Sequence, residues 1–169
     1  MDRAELRALQ QPIKERYRQE PQDALVTLRS EARLDASDIA CSVATGQALV
    51  QAGLHPATGG SGALACSGDM LLQALVACAG VTLRSVATSL EIAVAGSVRA
   101  EGDLDFRGTL GVASGEEAPV GFGAIRLVFE LESEADEQQL AKLLELTARY
   151  CIVYQTLAGG APITVSRKR

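Results

Sequence analysis

The chain has 169 residues, a length that suits one domain with a substantial core. Sixteen basic against twenty-one acidic residues give a net charge of −5, which argues against nucleic acid or an anionic membrane as a general partner. Hydrophobic content of 47% is ordinary for a soluble globular protein, while 4% aromatic content and no Trp leave no stacking platform for bases.

The first residues, Met1-Asp-Arg-Ala-Glu-Leu-Arg7, have no apolar core of a signal peptide. The longest apolar stretch runs about twelve residues, Met70 to Val81, where a membrane span needs about twenty. The expectation is a cytoplasmic protein whose thiols are kept reduced, so that four cysteines mean packing, metal or redox chemistry. No Cys-x-x-Cys occurs and His55 is the only histidine, so no metal site and no cofactor are expected.

In chain order, Leu6, Leu9, Ile13 and Tyr17 recur at helical spacing, predicting an amphipathic helix over 3–19 ended by Pro21. Strands are expected over 24–33, 39–43 and 48–52, with a turn at Thr45-Gly46. A loop of glycines and small residues follows from Leu54 to Gly62. Ser67 is then the expected N-cap of a long apolar helix running to about Leu90, with Asp69 in its first turn. Strands over 92–100 and 124–131 flank a loop at 108–117; a helix over 136–150 and a last strand over 162–165 complete the chain. No repeat and no linker is visible. This order predicts α+β with a mostly antiparallel sheet. A helix apolar on all sides must be covered on all sides, and one small sheet covers one side. A second copy of the chain is therefore expected over the rest.

Cys78 lies within that helix and Cys151 at the end of the later amphipathic one. Two thiols so placed suit chemistry in which one thiolate attacks and the other resolves. They also suit a role as small apolar fillers, because free Cys is often buried. Cys78 shares a helical face with Leu71, Leu75 and Thr82. Apolar surroundings alone would raise its pKa, so reactivity requires a cation or hydrogen-bond donor from elsewhere. His55 could be a thiolate partner or general base, or a loop histidine without chemistry. Asp69 has the helix-dipole role by default; Arg149 and Arg84 are thiolate stabilisers or solvated and paired arginines. Cys66 sits where a helix N-terminus lowers thiol pKa, and is otherwise a loop residue. Cys41 alternates with Ile39 and Val43 as a core position would.

The stretch from Ser67-Gly-Asp-Met-Leu-Leu-Gln-Ala-Leu-Val-Ala-Cys78 to Arg84 resembles the central helix of the OsmC/Ohr family of osmotically induced and organic hydroperoxide resistance proteins. Arg149-Tyr-Cys-Ile-Val-Tyr-Gln-Thr-Leu157 resembles the second cysteine motif of that family. The likeness extends over roughly 24–167, leaving residues 1–22 as an N-terminal helical extension and 23–169 as the OsmC-like domain. It implies an intertwined homodimer with two long central helices back to back and antiparallel sheets wrapped outside. It implies Cys78 as the peroxidatic and Cys151 as the resolving cysteine. The substrate is then an organic hydroperoxide, and an external dithiol, lipoylated or other, is the reductant. A binding protein for a small apolar ligand and a thiol redox sensor are the alternatives. The chain departs from the family pattern at several positions. The loop from Leu54 to Cys66 has no Arg, and Asp69 stands for the usual Glu. Ile152 replaces Pro after the second cysteine, and Tyr154 stands where a small polar residue is common. With the loop Arg missing, His55 and Arg149 are the residues left to position the thiolate or substrate.

Overall fold

The computed structural model describes residues 3–34, 41–43 and 52–167. In chain order the elements are α1 (Arg3–Gln19), β1 (Leu25–Leu34), β2 (Cys41–Val43), β3 (Ala52–Gly53), β4 (Ala65–Cys66), α2 (Ser67–Ser89), β5 (Ala95–Asp105), α3 (Phe106–Thr109), β6 (Phe122–Glu132), α4 (Glu137–Tyr150) and α5 (Ile152–Gly159). Four of the strands form one antiparallel sheet in the order β2-β1-β5-β6, with Leu25 opposite Asp105 and Ala95 opposite Glu132. β3 and β4 make a separate two-residue parallel pair.

β5 runs five residues beyond the end expected from its apolar alternation. Glu101 and Asp103 do not end it, because Arg126 on the neighbouring β6 donates to both, at 3.4 and 2.9 Å. Paired across the ladder, two acids sit in a strand without like-charge cost. The loop expected at 108–117 is shortened by α3, which Asp105 caps by accepting from the Arg107 amide. Most of the strand expected over 48–52, the turn at Thr45-Gly46 and the surroundings of the Cys41 side chain lie outside the described residues. The strand expected over 162–165 is not formed. Residues 161–167 have no regular structure, and Ile163 and Val165 are 90% and 93% exposed. Alternation makes a strand only where an edge is there to pair with it.

α2 lies across the sheet and holds the core together. Leu72, Leu75, Val76 and Ala79 pack with Val98 and Ala100 of β5 and with Cys151. One turn further on, Leu83 and Ala87 pack with Val94 and with Leu143 of α4. α2 is long and apolar enough, by length and composition, to cross a membrane, as core helices can be; here these residues are buried within the protein. α1 packs at the other end of the sheet, where Tyr17, fully buried, meets Phe106 and Leu110 and donates its hydroxyl to the Ala57 carbonyl at 2.6 Å. The N-terminal helix thus clasps the loop that leads into α2.

Candidate active site

α2 begins one residue earlier than the sequence suggests. Cys66, in extended backbone, is its N-cap and makes no side-chain capping bond, so Ser67 is already helical. The helix carries Cys78 on a stripe with Leu71, Ala74, Val81 and Ser85, all at offsets of three or four. Cys78 is half-buried, while the other four are exposed in a single chain. Thr82 lies one turn on, on the same side of the helix.

Cys151 is held by a break between two helices. α4 starts with a full capping box: Asp136 accepts from the Gln139 amide at 2.8 Å, and Gln139 accepts from the Asp136 amide at 3.0 Å. It ends where Cys151 turns to φ −72°, ψ 108°, its own amide still bonded to Thr147 at 2.9 Å. That residue then caps α5, its sulfur accepting from the Tyr154 amide at 3.5 Å. A thiol takes the place of the usual Ser, Thr or Asp oxygen. Cys151 is 1% exposed and lies in the same core cluster against which Cys78 and Val153 pack.

The first turn of α5 therefore faces both sulfurs. Burial pushes the Cys78 thiol up, but the backbone amide of Val153, the Cys151 thiol, the backbone amide of Ile152 and the Thr82 hydroxyl together hold it below the ordinary thiol range. Cys151 moves the other way, to about 11, through burial first and through its interaction with Cys78, against which the Tyr154 and Val153 amides work. Of two neighbouring thiols, Cys78 gives up its proton more readily than an ordinary thiol and Cys151 less readily. The amides of Ile152 and Val153 escaped the sequence reading because residues 152–154 look like strand. A signal for Thr82 was present: a hydroxyl four residues after a cysteine on one helical face.

A free thiol at the middle of a long core helix, neighbouring a second at a helix junction against an antiparallel sheet, is an arrangement that comparison can place. The family model described as OsmC-like protein matches residues 60–166. The chain belongs to the OsmC-like proteins. No curated relative matches it by sequence. Among solved structures, the fold is similar to an OsmC-like hydroperoxide resistance protein from Jannaschia sp., at a TM-score of 0.57 and 16% identity over 84% of this chain and 91% of that one. The α+β architecture expected from the sequence is that of the family.

In this OsmC-like protein the remaining site candidates stand apart from the thiol pair. His55 is the cap of a short turn over Pro56–Thr58, where its Nδ1 accepts from the Ala57 amide at 3.0 Å. The ring stacks on Phe106 at 4.9 Å and 18°. Its electrostatic partner is Asp69, whose carboxyl burial pushes up and His55 pulls back down. His55 and Cys66 line a cavity of about 370 Å³ with Leu71, Leu104, Phe106 and Phe122. Arg149 is exposed, its guanidinium 5.5 Å from the centre of the Tyr150 ring, beside an open cleft shared with Ile152 and Gln155. A third cavity, about 450 Å³, lies between α2, β6 and α5 and is lined by Leu75, Phe122, Ile125, Leu127, Tyr154 and Leu157. Leu75 is one turn before Cys78, and Tyr154 one turn after Cys151. Among the described residues, no three of His, Cys, Asp and Glu gather as metal ligands do.

Proposed function

We propose that this OsmC-like protein is a thiol-dependent peroxidase for organic hydroperoxides. The observation that carries the reading is the contact between Cys78 and Cys151 with opposite proton affinities. The Cys78 thiolate attacks one oxygen of the hydroperoxide and the O–O bond breaks. The alcohol leaves with a proton, and Cys78 becomes a sulfenic acid. The Cys151 thiol then attacks that sulfur, water leaves, and a Cys78–Cys151 disulfide forms. An external dithiol is oxidised as it reduces this disulfide and restores both thiols. The apolar cavity between Leu75 and Tyr154 is where the organic part of the substrate would lie. The hydroperoxide resistance function of the Jannaschia protein, which shares the fold, supports the same reading.

His55, Asp69 and Arg149 are proposed as secondary positioning residues, reached through the loop and the partner subunit rather than through direct contact with Cys78. The working form is a homodimer, with a second copy of the chain laid on the exposed stripe of α2. The division into an N-terminal extension and an OsmC-like domain is retained, with α1 acting on the loop through Tyr17.

Treating the reduced protein with cumene hydroperoxide and mapping its peptides tests the chemistry. A Cys78–Cys151 link, lost in Cys78→Ser together with dithiol-dependent peroxide consumption, is the expected result. Adducts on Cys66 without that link would move the assignment to a redox sensor. An inert thiol pair with saturable uptake of an apolar dye would move it to a ligand-binding protein.

A further inference from the structure

Two of the cavities follow one another along α2. Leu71 lines the one of about 370 Å³ and Leu75 the one of about 450 Å³, and these leucines are one turn apart on the helical face that leads to Cys78. Hydrocarbon dominates both walls, with Leu104 and Phe106 in the first and Leu127 and Leu157 in the second. Phe122 lines both. Its ring reaches that place through two features of the sheet. The ladder between β5 and β6 sets Asp103 opposite Ala124 but Leu104 opposite Phe122, so Gly123 is the extra residue of a β-bulge. In a regular strand Phe122 would point away from the side that Ile125 and Leu127 share. Past the bulge it packs with them on the α2 cluster. The ring then rests against Gly102 of β5, where a Cβ would stand 2.5 Å from its Cδ1. Glycine at 102 keeps that seat open.

We propose that Phe122 is a length stop: seated on Gly102, it divides one apolar channel along α2 into two cavities and fixes how long an organic chain the cavity beside the thiols admits. The assignment rests on the peroxidase reading in taking that cavity as the seat of the hydroperoxide's organic part, but its test uses binding alone. A compact or short hydrocarbon part fits between Leu75 and Tyr154. A longer straight chain ends against the Phe122 ring, and the space beyond it, toward His55 and Cys66, stays out of reach. Each methylene that enters an apolar cavity tightens binding about fourfold, and the gain ends where a wall stops the chain.

The experiment measures how straight-chain primary alcohols of increasing length displace the apolar dye N-phenylnaphthylamine from the reduced full chain. In wild type, affinity should rise about fourfold per methylene and then level off at a break. In Phe122→Ala the rise should continue past that break, as the chain runs on into the second cavity. Phe122→Val, which keeps a strand-forming residue at 122, decides the matter should the alanine variant not fold. Leu157→Ala is the control: it widens the cavity beside the thiols and leaves the partition in place, so its break should stay near that of wild type. A wild type without displacement or without a break would overturn the proposal. So would Phe122 variants whose break coincides with that of wild type, or a Leu157→Ala break moved as far as theirs. A protein that shows the shifted break yet consumes no hydroperoxide would refute the enzyme and leave the length stop standing. One that consumes hydroperoxide with an unmoved break would refute the length stop alone.

Discussion

Cys78 and Cys151 are identical side chains whose surroundings shift their proton affinities in opposite directions, and the difference can be read by titration. Four donors outweigh the burial of Cys78, so its thiolate forms below the ordinary thiol range; burial dominates at Cys151 and holds it as a thiol to about 11. Alkylation of the reduced protein at rising pH should therefore label Cys78 first, with Cys151 reacting only in strongly alkaline solution. In Cys78→Ser, one of the influences raising Cys151 is gone, and its labelling should begin at lower pH. It should still begin above the ordinary thiol range, because burial is the largest cause and remains. Labelling in the opposite order would invert the attacking and resolving roles. Away from the thiols, Tyr17 is the residue that ties α1 to the loop before α2. Tyr17→Phe keeps the packing and loses the bond to Ala57, a cost of about 1 kcal/mol in denaturant unfolding. Tyr17→Ala empties a fully buried site and should cost about 3–5 kcal/mol.

Among the elements, α4 was the most legible and α5 the least, for physical reasons. α4 announces itself through leucines at helical spacing, and the structure adds the Asp136–Gln139 capping box at its start. α5 opens with Ile152, Val153 and Tyr154, residues that favour strands, and its cap is a cysteine. Only its end carried a signal: Gly160 adopts φ 61° and stops the helix as glycine commonly does. The end of α2 carried none of that kind. There Ile92 donates to the Ala87 carbonyl at 2.9 Å and Glu91 to that of Thr88 at 3.2 Å, while Ile92 packs onto the Leu83 and Ala87 cluster. This is a Schellman motif built with Glu91, at φ 57°, where glycine is the usual choice. Glu91→Gly should accordingly stabilise the protein by about 1 kcal/mol, visible as a higher unfolding midpoint. A lower midpoint would mean that the Glu91 side chain contributes more than its backbone conformation costs.

For the whole molecule, the most telling sequence feature was a helix apolar all round. α2 would be unremarkable inside a large protein, but a single chain with one four-stranded sheet covers only part of it. The structure divides its surface cleanly. Leu72, Leu75, Val76 and Ala79 face the sheet and are at most 2% exposed, whereas Leu71 and Val81 on the Cys78 stripe are 38% and 41% exposed. Leu90 and Tyr150 extend that apolar surface, at 39% and 57%. A sequence pattern cannot separate these two faces, because the same small and apolar residues serve an internal core and a contact between subunits. Substitution can. Leu75→Asp places a carboxylate in the sheet-facing core and should cost several kcal/mol, enough to leave insoluble or unfolded protein. Val81→Asp places the same charge on the open stripe, where a single chain tolerates it and a second copy does not. That variant should keep wild-type helix content by circular dichroism and sediment as a monomer at concentrations where the wild type sediments as a dimer. Its Cys78, no longer covered by a partner, should be alkylated faster than in wild type at the same pH. A wild type that is itself monomeric at micromolar concentration, or a Val81→Asp variant that stays dimeric, would remove the partner from the stripe and leave α2 half-covered in the working protein.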